Sequence, residues 1–233
     1  MEIIDLSAVP GTTENFEGFI DQLCRRLGVE YGSYGTVNPM TGVAQGYANY
    51  KPEWKRFYVE NRLQQVDPTI HRAALSLAPV DWTRFERDEG FHSLFRIAHD
   101  FGITSQGITV PIRGPYGDRG LLSVTASMPE RDWRLLNREI IGELQMAAVH
   151  LHDAAMRTGL LIGPLSRPQL SIREREVLQW VAAGKSQQDV GDILNISSRT
   201  VEVHLRSARE KLGALTTVQA VGRAIGFGMI QPR

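Results

Sequence analysis

The sequence predicts two folds in one chain of 233 residues: an α+β domain built as an αβα sandwich on an antiparallel sheet, then a small all-α helix-turn-helix domain. Three observations support this prediction. Strand-like segments with turn signals alternate with amphipathic helices as far as residue 158. A stretch with two prolines and a glycine follows at residues 160–169. Three closely spaced helices with N-cap signals come after it.

The first elements of the α+β domain are predicted in chain order. Four apolar residues at helical spacing predict its first helix: Phe16, Ile20, Leu23 and Leu27. Residues 31–37 and 42–50 flank a turn-forming segment at 38–42 and predict a β-hairpin. Helices are then expected to start near Pro52 and after Pro68, and a further helix to cover residues 91–101.

The second half of this domain is predicted to complete the sheet. Strands are expected at residues 107–112 and 120–125, on either side of a turn-rich segment, with a further short strand at 80–83. Residues 127–158 predict a long helix with one apolar side: Trp133, Leu136, Ile140, Leu144, Ala147 and Leu151. We expect this side to cover the sheet and the exposed remainder to offer a dimer contact.

Length, composition and charge limit the class of protein. Apolar residues make up 42% and charged residues 22%, a balance typical of globular domains rather than disordered chains. Residues 168–233 hold 9 Lys and Arg against 6 Asp and Glu, whereas the preceding residues hold 17 against 20. The positive end is the expected nucleic-acid end. We place the first domain at residues 1–160, a linker at 161–169 and the second domain at 170–233.

Cysteine content and hydropathy indicate a cytoplasmic protein. Cys24 is the only cysteine, which excludes an intrachain disulfide and suits a reducing compartment. No apolar run approaches the roughly 20 residues that cross a bilayer, and the N-terminal residues lack the pattern of a signal peptide. We therefore expect a cytoplasmic location and no membrane partner.

The second domain begins with two pairs of capping residues. Ser171 with Glu174, and Ser186 with Asp189, have the spacing of a capping box, in which each side chain satisfies a backbone N–H at a helix start. Gly184 suits the left-handed end of the first of these helices. Residues 195–198 supply N-cap candidates for a third helix. Three helices joined this closely predict a helix-turn-helix, which binds duplex DNA.

The third helix has two chemically different faces. One face is apolar and is expected to be buried: Val201, Leu205, Ala208 and Leu212. The roughly opposite face is charged and suits a major groove: Arg199, Glu202, Arg206 and Arg209. We expect Arg206 to donate to guanine and Glu202 to accept from cytosine. Phosphate contacts are expected from a further set: Ser198, Arg199, Thr200 and Lys211. The alternative is an ordinary solvated helix face.

The residues of this segment resemble the signature of the LuxR-type helix-turn-helix: Leu170, Arg173, Glu174, Glu176, Val177, Leu178, Gly184, Lys185, Ser186, Ile196, Ser197, Thr200, Val201, His204, Lys211 and Leu212. The resemblance implies a DNA-binding transcriptional regulator. Response regulators and ligand receptors both carry this module. The type of signal that the regulator detects must therefore be inferred from the residues of the first domain.

The first domain contains an ordered set of aromatic and acidic motifs. YKPEWKRFY at residues 50–58 is followed by VDPT at 66–69, VDW at 80–82 and FGITSQGITVPI at 101–112. This set resembles the autoinducer-binding domain of LuxR-type quorum-sensing receptors: Tyr50, Trp54, Tyr58, Asp67, Pro68, Thr69, Trp82 and Gly107. The resemblance implies a quorum-sensing regulator whose signal ligand is an N-acyl or aroyl homoserine lactone.

The chemistry of such a ligand can be matched to these residues. It has a lactone carbonyl, an amide N–H, an acyl carbonyl and an apolar tail, so its site needs two donors, one strong acceptor and an apolar cavity. The resemblance implies that Trp54 donates to the lactone carbonyl, Asp67 accepts from the amide, and Tyr58 donates to the acyl carbonyl.

Four other residues have less direct expected roles. By the same resemblance Trp82 forms a wall at the lactone, Thr69 and Ser123 assist through hydroxyls or waters, and Tyr50 lines the channel for the tail. The structural alternative is that each aromatic residue is ordinary core packing and that Asp67, which precedes a proline, is simply a helix N-cap.

Ligand binding is expected to act as a switch. An ionised Asp67 in an apolar cavity is unfavourable unless it is hydrogen-bonded, so we expect the ligand-free domain to be strained or loose and the ligand to promote folding. Ordering of this domain would support a homodimer that places two recognition helices in adjacent major grooves of an inverted-repeat operator. RNA polymerase is a further expected partner of such a regulator.

Other functions match the residues less well. A phosphorylation-controlled regulator needs an acidic cluster and a phospho-acceptor aspartate on a parallel α/β pattern, which the first domain does not have. A nucleophile at Cys24, or a metal at His150 and His152, lacks the accompanying motif. We therefore expect no catalytic residues, no metal site and no cofactor besides the signal ligand. A ligand-independent LuxR-type regulator remains the alternative.

Overall fold

The computed structural model describes residues 13–37, 44–114, 117–158 and 168–231. These residues form nine α-helices and five β-strands, and the chain divides into two compact units. The first unit holds the whole sheet and the longest helix, and the second holds the C-terminal helices. Residues 161–167 of the predicted linker lie outside the described residues, so the domain boundaries stay a prediction.

The first unit contains every helix predicted for it. These helices are α1 (Thr13–Leu27), α2 (Pro52–Glu60), α3 (Pro68–Ala74), α4 (Glu89–Asp100) and α5 (Glu130–Thr158). Helix α5 begins at Glu130 rather than at 127, because Pro129 disfavours the helical conformation of the residue before it. Among the described residues no helix is long and apolar enough to cross a membrane.

The five strands form one antiparallel sheet in the order β2-β1-β5-β4-β3. The strands are β1 (Tyr31–Val37), β2 (Ala44–Ala48), β3 (Val80–Asp81), β4 (Gly107–Arg113) and β5 (Arg119–Thr125). The strand predicted at 80–83 ends at Asp81, because the Asp81 carboxylate accepts from the Thr83 N–H and caps a 3-10 helix at Trp82–Arg84. The predicted turn at 38–42 lies outside the described residues.

Helices cover both faces of the sheet, so the predicted αβα sandwich is confirmed. Because neighbouring residues of a strand point to opposite faces, Tyr34 and Leu122 face α1 and α5 and join the main core. Tyr31, Thr109 and Ser123 point to the other face, where α3 packs against β4 and β5. An aromatic cluster from α2 and α4 contacts Tyr31 there.

The second unit contains four helices, one more than the sequence predicted. They are α6 (Ile172–Ala182), α7 (Gln187–Leu194), α8 (Ser198–Leu212) and α9 (Thr217–Gly226). Both predicted capping boxes are present, and Gly184 has a positive φ of 81° at the end of α6. Helix α9 was not predicted; it starts at a cap in which the Thr216 hydroxyl accepts from the Gln219 N–H.

The core of the second unit is built on the predicted apolar face of α8. Val201, Leu205, Ala208 and Leu212 are all buried, together with Val177 and Leu178 of α6 and Ala220 and Ala224 of α9. Helix α7 contributes Val190. The opposite side of α8 is therefore the side left for a partner.

Candidate functional site

Helix α2 places two predicted ligand contacts one turn apart. Pro52 lies in its first turn, which suits a fixed φ, and Trp54 and Tyr58 follow at positions that share a helix face. Trp54 is 5% exposed, and the ring centroids of Trp54 and Tyr58 lie 5.5 Å apart. The two predicted aromatic donors therefore belong to one cluster.

Asp67 joins this cluster to the start of α3. It is the N-cap of α3, and its Oδ1 accepts from both the backbone N–H and the hydroxyl of Thr69, each at 2.7 Å. Its Oδ2 accepts from the Tyr58 hydroxyl, also at 2.7 Å. Asp67 is 7% exposed. The same carboxylate thus caps α3 through Oδ1, as the structural alternative requires, and binds Tyr58 through Oδ2.

These hydrogen bonds correct one expectation. The ligand-free domain was expected to be strained or loose unless Asp67 is hydrogen-bonded, and the carboxylate accepts three hydrogen bonds from the protein itself. That source of strain is therefore absent.

The Tyr58 hydroxyl is held in its protonated form. Burial raises the pKa of Tyr58 far above its ordinary value, and the charge of Asp67 and the hydrogen bond to it raise that pKa further. A phenol has one proton to donate. Because Tyr58 donates its proton to Asp67, it must release Asp67 before it can donate to a ligand carbonyl.

Trp82 is fixed against the sheet, on the face to which Thr109 and Ser123 point. Its indole Nε1 donates to the Thr109 hydroxyl at 2.9 Å, and the Thr109 and Ser123 hydroxyls lie 2.8 Å apart. A Cβ added at Gly107 would collide with the Trp82 ring, so the ring lies directly on the backbone of β4. Thr109 was not predicted, because its only sequence signal is its place on a strand.

Tyr50 and Trp54 complete the aromatic cluster. The rings of Tyr31 and Tyr50 lie 5.2 Å apart, and burial raises the pKa of Tyr50 although a hydrogen bond from Ser33 acts in the opposite direction. Phe95 packs against the cluster of Trp54 and also against Trp82, with a centroid distance of 5.8 Å to Trp82. The indole N–H of Trp54, unlike that of Trp82, donates to none of the described residues.

The predicted DNA-contacting residues on α8 differ in how many hydrogen bonds and ion pairs they already make within the protein. The Arg206 side chain is 75% exposed and approaches Glu210 at 3.3 Å, and Ser198 and Arg199 are exposed at the start of the helix. The Thr200 hydroxyl lies 2.8 Å from that of the N-cap, Ser197. These residues lie on the surface of the unit.

Glu202 and Arg209 are bound to each other. The Glu202 carboxylate accepts from Arg209 at 2.9 Å and from the Gln187 amide of α7 at 2.7 Å. Arg209 also donates to the Thr217 hydroxyl of α9 at 3.2 Å. Their predicted roles at the bases stay predictions, and Glu202 has acceptor positions left beside these two donors.

Lys211 is held inside the network of the unit. Its ammonium lies 2.7 and 2.8 Å from the two oxygens of Glu174, which also accept from the Ser171 N–H and the Ser207 hydroxyl. Burial raises the pKa of Glu174, but the hydrogen bonds and the Lys211 charge outweigh it and lower that pKa to about 2. The structure therefore brings Lys211 to a buried carboxylate, and its predicted phosphate contact stays a prediction.

The Cys24 thiol is held in its protonated form. It lies on the buried side of α1, where burial and the charge of Asp21 raise its pKa to about 12 against an opposing hydrogen bond from Asn49. A thiol with that pKa is not ionised near neutral pH.

An αβα unit with a buried acid among aromatic residues, followed by a helix-turn-helix unit, is typical of a ligand-binding transcriptional regulator. The family model for the "Autoinducer binding domain" matches residues 12–155, and the model for "Bacterial regulatory proteins, luxR family" matches residues 168–224. The chain belongs to the LuxR family of transcriptional regulators with an autoinducer-binding domain. These proteins are regulators and not enzymes.

Individual relatives agree with this assignment. The chain is 36% identical to the transcriptional activator protein RaiR of Rhizobium etli over 190 residues, which cover 79% of this chain and 78% of RaiR. It is 32% identical to the transcriptional activator protein SolR of Ralstonia solanacearum over 222 residues, 91% of this chain and 90% of SolR. The crystal structure of Escherichia coli SdiA has the same fold, with a TM-score of 0.77 at 23% identity over 97% of this chain and 94% of SdiA.

Proposed function

We propose that the chain is a quorum-sensing regulator that binds an N-acyl or aroyl homoserine lactone and, as a homodimer, binds an inverted-repeat operator to control transcription. The observation that carries the ligand part is the Tyr58–Asp67 hydrogen bond beside Trp54. It brings two donors and an acid into one buried cluster, as an amide-bearing lactone requires.

Hydrogen-bond accounting supports an amide ligand. A carboxylate offers about four acceptor positions, and Asp67 uses three of them. In the proposed complex the ligand amide N–H donates to Oδ2 of Asp67, and the Tyr58 hydroxyl donates its hydrogen bond to the acyl carbonyl instead of to Asp67. Asp67 then still accepts three hydrogen bonds, Tyr58 still donates one, and the ligand amide and acyl carbonyl each have a partner. The Trp54 indole N–H donates to the lactone carbonyl.

The other proposed ligand-contacting residues lie around Asp67 and Tyr58 in the proposed complex. Trp82 forms the wall at the lactone, held by its bond to Thr109, and Tyr50 borders the acyl tail. Each buried methylene of that tail contributes about 0.8 kcal/mol, so tail length sets affinity while the polar groups set orientation. Thr69 acts through Asp67, and Ser123 through the hydroxyl pair with Thr109.

The exposed side of α5 supports a homodimer. Leu135, Met146 and Val149 are exposed large apolar residues, and helical spacing aligns them along one side of α5. A second copy would bury this stripe around a two-fold axis, which matches the symmetry of an inverted-repeat operator. RNA polymerase is the proposed downstream partner.

The test of the ligand proposal compares an amide with its ester. Calorimetry of the full chain is run with N-acyl-homoserine lactones from butanoyl to dodecanoyl, an aroyl lactone, and the O-acyl ester that matches the tightest amide. We expect the amide to bind about tenfold more tightly than the ester, because the ester has no N–H for Asp67. Equal binding of amide and ester contradicts the role of Asp67. Binding of duplex DNA with no response to any lactone favours a ligand-independent regulator.

A further inference from the structure

Val203 is an exposed apolar residue in the middle of the outward face of α8. It is 61% exposed, and helical spacing places it between Arg199 and Arg206, one turn from each. Neighbouring Val201 and Leu205 are buried, so the exposure belongs to the side of α8 that faces away from the core.

A valine at position 203 does not stabilise the folded unit through any described contact. A β-branched residue is a poorer helix former than alanine, and no apolar neighbour covers it in the described unit. A residue that breaks a local preference without compensation in the fold is a candidate for function.

The polar residues around Val203 indicate which groups of DNA are left for it to contact. Glu202 and Arg209 bind each other and reach toward Gln187 of α7 and Thr217 of α9. The outermost row of α8 therefore consists of Arg199, Val203, Arg206 and Glu210, the last of which pairs with Arg206. The arginines suit phosphate and guanine, whereas a valine side chain has no donor or acceptor for either.

We propose that Val203 contacts the C5-methyl group of a thymine in the operator and thereby determines one base of its sequence. The thymine methyl is the apolar group that the major groove presents, so it is the base feature an isopropyl side chain can detect. The inference rests on the proposed operator binding and adds to it a base-specific contact beyond Arg206 and Glu202.

The test uses thymine without its methyl group. The full chain, with the tightest lactone of the panel, first selects duplexes from a random-sequence pool. Each thymine of the selected operator is then replaced singly by deoxyuridine, and affinities are measured for the wild-type chain and for Val203→Ala. We expect one thymine per half-site at which deoxyuridine weakens wild-type binding about fourfold, as burial of one methyl group implies. Val203→Ala should reduce that loss, at this thymine alone.

The control is Val218→Ala, which truncates a valine that is 82% exposed on α9. This variant should keep the methyl effect at every position. Val203→Ala replaces an exposed residue by a better helix former, so it should fold as well as the wild type. The inference is overturned if Val203→Ala keeps the full methyl effect or if no deoxyuridine weakens wild-type binding. A wild-type chain that selects no duplex overturns the operator proposal itself.

Discussion

The Tyr58 hydroxyl donates a 2.7 Å hydrogen bond to Oδ2 of Asp67, while Oδ1 of the same carboxylate caps α3. One side chain thus holds α2 against the start of α3 and also presents the acid that the proposed ligand requires. Because the two oxygens have different partners, substitutions can separate the structural role from the binding role.

Asp67→Asn should separate these roles. Asparagine is as good an N-cap as aspartate, so the variant should stay folded with a loss of about 1 kcal/mol or less in unfolding free energy. Lactone affinity should fall at least about tenfold, because the variant loses the negative charge that accepts the amide N–H. Thermal melting and calorimetry measure the two effects. Asp88→Asn alters the comparable cap of α4 and should leave lactone affinity unchanged.

Gly107→Ala should displace Trp82 from the sheet. The added methyl group would collide with the indole ring, which is also tied to Thr109. We expect a loss of about 1–3 kcal/mol in unfolding free energy and weaker lactone binding. Gly18→Ala on α1, where nothing lies within reach of the new methyl group, is the matched control and should be neutral or stabilising. Unchanged stability of Gly107→Ala would contradict the described position of Trp82.

Acid should destabilise the second unit through Glu174. Its pKa is lowered from 4.5 to about 2 in the folded unit, so its stabilising effect is full above about 4.5 and is lost as pH falls through 2. The difference corresponds to about 3 kcal/mol. Denaturant unfolding followed by helical circular dichroism at several pH values measures it. Glu174→Gln should be less stable at neutral pH and should lose most of this dependence, whereas exposed Glu210→Gln should keep it.

Arg206→Ala should weaken operator binding in a sequence-dependent way. The side chain is exposed and its neighbour Glu210 is also exposed, so both are free to exchange partners. A lost guanine contact should reduce discrimination by about 1–3 kcal/mol at one base pair, measured by competition with mutated operators. Arg173→Ala breaks a comparable exposed pair on α6 and should not change discrimination. A uniform loss for all duplexes would make Arg206 a phosphate contact instead.

Local sequence signals account for most of the fold. The capping boxes at Ser171 and Ser186 act within one turn of helix, so the starts of α6 and α7 were predictable. Prolines fixed the starts of α2 and α3 in the same way. Helix α9 was missed although Thr216 and Gln219 form a cap, because glycines at 222 and 226 weaken its helical pattern.

The contacts within the candidate site were less predictable, because they depend on tertiary geometry. Arg62 has a positive φ of 52° between α2 and α3, a conformation that few residues other than glycine adopt, and no local pattern signals it. The chain turns there before Asp67 meets Tyr58. Lys211 and Glu174 are 37 positions apart, so their ion pair depends on how α6 packs against α8.

The measurement that tests the ligand proposal most directly is a crystal structure of the full chain with its tightest N-acyl-homoserine lactone. We predict that the amide nitrogen lies about 2.9 Å from Oδ2 of Asp67 and that the Tyr58 hydroxyl has moved its hydrogen bond to the acyl carbonyl. A lactone bound away from Asp67, with the Tyr58–Asp67 hydrogen bond intact, would contradict the proposal.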